Sequence, residues 1–323
     1  MNALETPAFV RGVAPARVLV VGESLVDVVR GSEGDSVHPG GSPLNVAVGL
    51  QRLDLPTTLH SSFGVDAHGI AIARRLEASG VTITTGTIND RPTSVALATI
   101  DAAGVATYTF SIDWDPAPAV AAPGTVDALH VGSIGAALEP GATMVERLIT
   151  QLRPSAIISF DPNIRPQLMG SADAARQRVE RIVALSDVVK ASDEDIAWLY
   201  PNVDVTEAIA GWLARGPALV VVTRGGDGAD TLTAHGSVHV PAPVAQVSDT
   251  IGAGDSFMSG LLAALSDLGL LRVDRREALR ALSAADTSRV VEFAVRCAAL
   301  TVSRPGADPP SRAQLAAAHY SGA

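Results

Sequence analysis

The sequence lacks the features that define several common classes of protein. Its 323 residues include one cysteine, Cys297, so neither an intrachain disulfide framework nor a thiolate metal site can form. No apolar run approaches the roughly 18 residues of a membrane span. Residues 1–16, interpreted as a flexible leader, have neither the basic segment nor the long apolar core of a signal peptide. These absences predict a cytoplasmic protein.

Positive charge is also scarce. Lys and Arg total 24 against 34 Asp and Glu, which gives a net charge of −10 and a pI of about 5.1. Nucleic acids and anionic membranes attract basic surfaces, so neither is expected as a partner. A hydrophobic content of 47% excludes a disordered chain, and an aromatic content of 4% leaves Ala, Val and Leu to fill the core.

Short apolar runs alternate with helix-like segments along most of the chain. The strand-like runs lie at residues 17–22, 57–63, 126–132, 156–160, 188–190 and 219–223. Runs that are apolar on both faces are typical of parallel strands buried between two layers of helices. We therefore predict one α/β domain over residues 17–323, with a doubly wound, mostly parallel sheet and helices on both faces.

Residues 91–112 follow a different pattern. Residues 93–100 and 105–110 alternate apolar and polar side chains around Asp101–Gly104, which predicts a β-hairpin. Further strand-like residues occur shortly after the first strand. We expect these segments, at about 24–38 and 91–114, to form a small second sheet.

The most informative stretch is DTIGAGDSFMSG, residues 249–260. It follows a β-like run at 244–247 and opens an apolar helix predicted at 256–268. Small residues at 252–254 leave backbone N–H groups uncovered at a helix N-terminus, which attracts anions. Asp255 would repel a bound phosphate, but it suits a base that takes a proton from a hydroxyl while the amides stabilise a transferring phosphoryl group. The alternative is a tight strand-to-helix turn with Asp255 near its cap.

Two motifs resemble the signatures of the ribokinase/PfkB family of sugar kinases. The second motif is HPGGSPLNVAVGL, residues 38–50, which is similar to the family's Gly-Gly followed by Asn-x-Ala. It precedes the first by about two hundred residues, in the family's order, and the resemblance spans about residues 17–308. The C-terminal signature D-T-x-G-A-G-D is matched at Asp249, Thr250, Gly252, Ala253, Gly254 and Asp255.

The resemblance implies a ribokinase-like fold in which the small sheet is a lid over the site. It implies transfer of a phosphoryl group from ATP to a sugar's primary hydroxyl, with Asp255 as base and the amides of Gly252, Ala253 and Gly254 as anion hole. Asp27 follows the first strand, and the glycine pair allows a ligand close to the backbone. The implied substrate-binding residues are Asp27, Gly40, Gly41, Asn45 and Arg165.

The resemblance also implies nucleotide and metal sites. Ser192 and Asp195 stand where the family has N-x-x-E, so the shorter Asp195 would reach Mg²⁺ through water; helix capping is the alternative. A monovalent cation such as K⁺ is expected near Asp249 and Ile251. The implied nucleotide-binding residues are Lys190 and, in a T-x-G-x-x-G turn that could be a simple hairpin, Thr223, Gly225 and Gly228.

A fructokinase-like activity is favoured because DPNIRP, residues 161–166, resembles fructokinases and 2-keto-3-deoxygluconate kinases. Within that loop, Arg165 either binds phosphate or locks the loop to Asp161. A keto-acid substrate would need an extra cation, whereas the stretch 110–115 supplies Asp113 and Asp115. 2-Keto-3-deoxygluconate kinase, nucleoside kinase and a non-catalytic sugar-binding regulator remain alternatives. The first strand lacks the G-x-G-x-x-G of a Rossmann oxidoreductase.

The lid has two further expected features. Its strands are expected to mediate a homodimer, as they often do in the family. Its apolar underside is expected to include aromatic side chains, the candidates being Tyr108, Phe110 and Trp114.

Overall fold

The computed structural model describes residues 14–31, 34–100, 106–119, 121–122 and 124–318. The strands in these residues are β1 (Val18–Val21), β2 (Leu25–Gly31), β3 (Gly34–Gly40), β4 (Thr57–His60), β5 (Phe63–Gly64), β6 (Thr82–Ile83), β7 (Ile88–Asn89), β8 (Ser94–Ile100), β9 (Ala106–Ser111), β10 (Ala128–Gly132), β11 (Ile157–Asp161), β12 (Val188–Ser192), β13 (Leu219–Thr223), β14 (Ala229–Thr233) and β15 (Gly236–Val240). The α-helices are α1 (Ser42–Arg52), α2 (Ala67–Ala78), α3 (Gly141–Leu152), α4 (Pro166–Met169), α5 (Ala172–Leu185), α6 (Asp193–Leu199), α7 (Val205–Leu213), α8 (Ala253–Asp267), α9 (Arg276–Arg280), α10 (Ala284–Val302) and α11 (Arg312–Ala317).

A nine-stranded sheet runs through the centre in the order β15-β14-β13-β12-β11-β10-β1-β4-β6. Neighbouring strands are parallel from β6 across to β13, and β14 and β15 add an antiparallel edge. Helices cover both faces, so the predicted doubly wound, mostly parallel sheet is confirmed. The carboxyl ends of the parallel strands meet at one edge, where ligands bind in open α/β sheets.

The apolar core has two layers, one on each face of this sheet. In β13, Leu219 and Val221 pack into the layer formed with α1, α8 and α10. Val220 and Val222 pack into the opposite layer, with α3, α5 and α7. Because successive side chains in a strand point to opposite faces, a strand buried on both sides must be apolar throughout.

The predicted small sheet is present, with the order β3-β2-β8-β9. β2 is antiparallel to β3 and parallel to β8, and β8 is antiparallel to β9. The predicted turn at 101–104 lies outside the described residues, as does the side chain of Tyr108. A small apolar cluster joins this sheet to the main body, with Phe110 packed against Leu25, Ala96 and Ile134.

The chain before β1 differs from the predicted leader at its end. Residues 1–13 lie outside the described residues, but Ala16 is 2% exposed and its N–H donates to Ser266 Oγ at 3.1 Å. The packed chain therefore begins before Arg17, because Ala16 lies in the same core layer as α8.

The prediction of a strand at 244–247 is wrong. Val244 and Val247 are 83% and 63% exposed and lie in an irregular segment between β15 and α8. Pro241 and Pro243 just before this run have no backbone N–H, so neither residue can donate a hydrogen bond to a neighbouring strand. α8 also begins three residues earlier than predicted, which makes Gly252 its N-cap.

Among the described residues, no helix has both the length and the apolar character needed to cross a bilayer. Cys297 is buried in α10, and burial raises the pKa of its thiol to about 12. It is therefore a packing residue rather than a reactive thiol.

Candidate active site

Asp255 occupies the first turn of α8 and is 8% exposed. Its Oδ1 accepts a hydrogen bond from Ser42 Oγ at 2.6 Å, and its Oδ2 accepts one from Asn45 Nδ2 at 2.9 Å. Both donors lie in the first turn of α1, about 210 residues earlier in the chain. The two sequence signatures therefore meet at one carboxylate.

The N-terminus of α8, the predicted anion site, has uncovered backbone donors. Gly252 has φ 76°, a left-handed conformation that favours glycine, and no side chain caps the helix. The N–H groups of Gly254 and Asp255 have no hydrogen-bond acceptor among the described residues. A helix N-terminus with uncovered donors attracts a negatively charged ligand, because the helix dipole adds to the hydrogen bonds.

The two glycines of this turn are also needed for packing. A Cβ on Gly252 would lie 2.6 Å from the Cβ of Ala307, in the turn that follows α10. A Cβ on Gly254 would lie 2.9 Å from Lys190 Nζ. Larger residues would therefore displace either the turn behind the helix or the cation beside it.

Lys190 is the only lysine of the chain and is 3% exposed in the middle of β12. Its Nζ donates to Asp161 Oδ2 at 3.0 Å. Burial opposes the charge on Lys190, but the carboxylates of Asp161 and Asp195 outweigh it and raise the pKa of the ammonium. Burial raises the pKa of Asp161 to about 6, so the pair is ionised at neutral pH. A fixed positive charge thus lies beside the anion site.

The predicted sugar-binding residues lie on the side of the small sheet. Asp27 is in β2, opposite His38 of β3, and a Cβ on Gly40 would lie 2.5 Å from Asp27 Oδ2. Gly41, the N-cap of α1, has φ 102°, and a Cβ there would lie 2.6 Å from Glu23 O. Burial raises the pKa of Asp27, the positive charges of His38, Arg165 and Arg75 lower it, and the charge of Asp255 raises it. Asp27 and Asp255 therefore lie within electrostatic reach of each other.

Arg165 locks its own loop. Its Nη1 donates to the carbonyls of Asn163 and Ile164 and to Asn163 Oδ1, at 2.9 to 3.2 Å. The interpretation in which it pairs with Asp161 is therefore wrong, because Asp161 is taken by Lys190. The positive charge of Arg165 still lowers the pKa of Asp27, one of the predicted sugar-binding residues.

Asp195 caps α6. Its Oδ2 accepts the N–H of Ser192 at 2.8 Å, while Ser192 Oγ accepts the N–H of Asp195 at 3.0 Å, so the two form a capping box. Its Oδ1 accepts the N–H of Ile164 at 2.8 Å and so holds the 161–165 loop. Among the described residues, no cluster of three His, Cys, Asp or Glu side chains could hold a metal ion by itself.

The predicted nucleotide turn joins β13 to β14. Thr223 Oγ1 donates to Ala191 O at 3.4 Å, and Gly225 has φ 51° with open space where a Cβ would lie. At position 228, packing alone requires glycine, because a Cβ there would lie 2.0 Å from Val240 O. The backbone of this turn is thus open at Gly225 and closely packed at Gly228.

The predicted monovalent-cation residues adjoin the anion site. Asp249 Oδ1 accepts the N–H of Ile251 at 3.0 Å, and its Oδ2 accepts the N–H of Gly306 at 2.8 Å. Ile251 is 55% exposed. Asp249 therefore ties the segment before α8 to the turn that follows α10.

The charge argument based on Asp113 and Asp115 is not supported. Arg91 pairs with both, at 2.7 Å and 3.0 Å, so their charges are balanced at the surface. Trp114 is not on the underside of the small sheet: it is 4% exposed in the core layer below α3, and its Nε1 donates to Gly135 O at 2.9 Å. The lid is predicted to reach residue 114, but the chain leaves the small sheet after Ser111.

Sequence reasoning missed three residues around the site. Ser42 directly follows the Gly-Gly pair, so the signature could have indicated it. Arg75 donates to Asn45 Oδ1 at 3.1 Å, but its helix shows only ordinary amphipathic spacing. Glu23 is 2% exposed and accepts the N–H of Gly135 at 2.7 Å. Burial raises the pKa of Glu23 to about 7, although hydrogen bonds from Gly135 and Ser133 and the charge of Arg165 each lower it.

Fold and site together define an α/β protein with an open helix N-terminus, a carboxylate in its first turn and a buried ammonium beside it. The chain matches the model of the pfkB family of carbohydrate kinases over residues 15–314. It is 34% identical over 265 residues to the fructokinase of Rhizobium leguminosarum bv. trifolii, covering 79% of this chain and 81% of that protein. It is 32% identical over 304 residues to the fructokinase of Escherichia coli, covering 90% and 95%.

Solved structures agree with this assignment. A fructokinase double mutant from Vibrio cholerae O395, with fructose, ADP and potassium bound, has a TM-score of 0.78 at 28% identity, covering 95% of this chain and 99% of that one. The aminoimidazole riboside kinase of Salmonella enterica, with its riboside and an ATP analogue, has a TM-score of 0.76 at 25% identity, covering 93% and 98%. The chain belongs to the pfkB family of carbohydrate kinases and is a sugar kinase.

Proposed function

We propose that this chain transfers the γ-phosphoryl group of ATP to a primary hydroxyl of a neutral ketohexose, with fructose as the first candidate. The observation that carries the proposal is Asp255 beside the uncovered N–H groups at the start of α8. Fructokinases among the relatives support the choice of sugar.

Asp255 is the base. A sugar hydroxyl bound beside its carboxylate loses its proton to Asp255 while the oxygen attacks the γ-phosphorus. Ser42 and Asn45 hold the carboxylate in one orientation through both of its oxygens, at 2.6 Å and 2.9 Å. Such fixed orientation lowers the cost of reaching the transition state, because little reorganisation is needed when the hydroxyl arrives.

The charge that develops on the phosphoryl group is stabilised by the amides of Gly252 and Gly254 and by Lys190. The third predicted amide, that of Ala253, donates to Thr250 O at 3.3 Å. Donors fixed in place before the reaction stabilise a transition state better than mobile water does. Of the 24 Lys and Arg residues, 23 are arginines, and the single lysine is the residue beside Gly254. A compact ammonium fits this enclosed position, whereas a planar guanidinium would not.

The proposed cofactors are ATP, Mg²⁺ and a monovalent cation. Mg²⁺ keeps several waters and binds mainly through phosphate oxygens, so it does not need a cluster of three acidic side chains, and the described part of the chain holds none. When bound, it neutralises charge on the phosphates, and Asp195 would hold it through water. Asp249 and the carbonyl of Ile251 would hold the monovalent cation, and the similar V. cholerae structure contains potassium. Lys190, Thr223 and Gly225 would contact the nucleotide.

Asp27, Gly40, Gly41 and Asn45 are proposed to bind the sugar, with Arg165 behind them. Two carboxylates, Asp27 and Asp255, lie close enough to affect each other. The guanidinium groups of Arg165 and Arg75 also act on Asp27, so the charges of the pocket do not separate a neutral sugar from a keto acid. The choice of a neutral sugar is supported by the fructokinases among the relatives. We further propose that the small sheet acts as a lid that excludes competing water, and that its strands form the contact of a homodimer.

The test is ATP consumption with Mg²⁺ against fructose, 2-keto-3-deoxygluconate, ribose, aminoimidazole riboside and adenosine. For fructose, Asp255→Asn is expected to lower kcat by about 10²- to 10⁴-fold, because the base is lost while its hydrogen-bonding shape remains. Asp274→Asn, at an exposed surface acid, is the matched control. Preference for the keto acid would refute the neutral-sugar proposal, and undiminished turnover by Asp255→Asn would refute the base.

A further inference from the structure

Arg75, on α2, contacts three distant segments of the chain through neutral acceptors. Its Nη1 donates to Pro39 O at 2.6 Å, and its Nη2 donates to Asn45 Oδ1 at 3.1 Å and to Ala307 O at 2.6 Å. Among the described residues it makes no salt bridge. Partial burial of a guanidinium costs free energy, and here no direct ion pair offsets that cost.

The contact with Asn45 determines which way its amide points. A guanidinium only donates hydrogen bonds and a carboxylate only accepts them. Asn45 lies between the two, so its Oδ1 must face Arg75 and its Nδ2 must face Asp255, as observed at 3.1 Å and 2.9 Å. A reversed amide would place oxygen against the carboxylate and NH₂ against the guanidinium, and both contacts would be repulsive.

The other two contacts reach both sides of the site. Pro39 lies in β3 opposite Val26, the residue before Asp27. Ala307 packs directly against Gly252, the N-cap of α8. Arg75 therefore touches the strand next to the sugar-binding carboxylate and the turn behind the anion site.

We propose that Arg75 is a positioning residue that fixes the Asn45 amide, and through it the Asp255 carboxylate, while holding the β3 strand and the Ala307 turn in register. This rests on the proposed role of Asp255 as base. Arg75 acts through other residues rather than on the substrates, so its loss is expected to lower kcat more than it raises either KM.

A double-mutant cycle tests this dependence. Arg75→Met is expected to lower kcat with fructose by about 10- to 100-fold and to change the KM of fructose and of ATP by less than about threefold. In an Asn45→Ala background the same substitution should lower kcat by only about threefold or less, because the amide it orients is gone and only its contacts with Pro39 and Ala307 remain to be lost. Arg74→Met, at the exposed neighbour on α2, is the matched control and should retain wild-type kcat.

The proposal fails if Arg75→Met lowers kcat by the same factor in both backgrounds, or if Arg74→Met has an equal effect. Thermal unfolding monitors folding of every variant. Should Arg75→Met not fold, Arg75→Lys takes its place in the cycle, since one ammonium cannot reach all three acceptors.

A second readout needs no substrate. The NMR signals of the Asn45 side-chain NH₂ group can be assigned by their absence in Asn45→Ala. The protons of this group should exchange with solvent at least about tenfold faster in Arg75→Met than in wild type. Unchanged exchange would overturn the positioning role. Absence of sugar turnover by the wild type would instead refute the proposed function, while the exchange measurement would still decide the role of Arg75.

Discussion

Glu23 is a buried acid at the end of β1 whose contacts are neutral donors. It accepts the N–H of Gly135 at 2.7 Å and lies behind Gly41, whose backbone packs against the Glu23 carbonyl. Burial raises the pKa of Glu23 from 4.5 to about 7. Its ionisation therefore occurs close to neutral pH, in contact with the segment that starts α1.

The raised pKa of Glu23 gives a testable pH dependence. Between about pH 4.5 and 7 the folded state binds more protons than the unfolded state, so this residue's contribution to stability falls as pH rises. Glu23→Gln keeps an acceptor for Gly135 and removes the charge. Relative to wild type, the variant should gain up to about 3 kcal/mol of unfolding free energy at pH 8 and little at pH 4.5, measured by urea denaturation.

Glu207→Gln, at an exposed glutamate of α7, is the control for this comparison and should track wild type at both pH values. A constant difference between Glu23→Gln and wild type across the range would show that Glu23 ionises normally and that its burial costs nothing at neutral pH.

At the scale of elements, the start of α8 and the turn after α10 form one unit. Gly252 has φ 76°, and a Cβ there would lie 2.6 Å from Ala307 Cβ. Asp249 bonds Gly306 and Arg75 bonds Ala307, so the turn is fixed from two further directions. The predicted anion site thus depends on a segment 57 residues later in the chain.

Gly252→Ala should therefore damage both stability and catalysis. We expect a loss of about 1–3 kcal/mol of unfolding free energy, from the left-handed backbone and the contact with Ala307. We expect kcat to fall at least about tenfold, because the amides move away from the phosphoryl group. Thermal unfolding and initial rates measure the two effects.

Gly211→Ala, within α7, is the matched control for the glycine substitution. A Cβ there meets only Arg215 Nη1 at 3.8 Å, so the helix should gain about 0.5–1 kcal/mol with kcat unchanged. If Gly252→Ala behaved like Gly211→Ala, the turn would not support the anion site.

The sequence predicted elements that carry their own local pattern, and it missed what distant elements do to one another. The two signatures located α1, α8 and the residues at their first turns, because glycine and capping chemistry are local. Arg75 shows no local signal, since its acceptors at 39, 45 and 307 meet only in the folded chain. The predicted strand at 244–247 failed for the same reason: a β-like run favours a strand locally, but a strand forms only where a neighbouring strand can pair with its N–H and C=O groups.

At the scale of the whole molecule, Arg276 joins the two core layers beyond the amino ends of the strands. Its helix, α9, lies between α8 and α10 in the chain and packs in the same core layer through Leu279. Its guanidinium donates to Arg153 O and Ala156 O, which follow α3 on the other face of the sheet. The same group donates to Asp187, whose side chain is 1% exposed, at 2.8 Å. We propose that residues 17–323 form one cooperative domain, with this contact as one of its links.

Arg276→Met should lower the unfolding free energy by about 3–5 kcal/mol, because it removes the cationic partner of the buried Asp187 carboxylate, which keeps only the N–H of Ile158, and a donor to two carbonyls. Since the lost contacts belong to both layers, urea denaturation should show a single transition moved to lower urea, with fluorescence and circular dichroism coincident. Arg289→Met removes an exposed pair with Asp286 and should cost less than about 1 kcal/mol. Two separated transitions in Arg276→Met would contradict the single domain, because each layer would then unfold without the other.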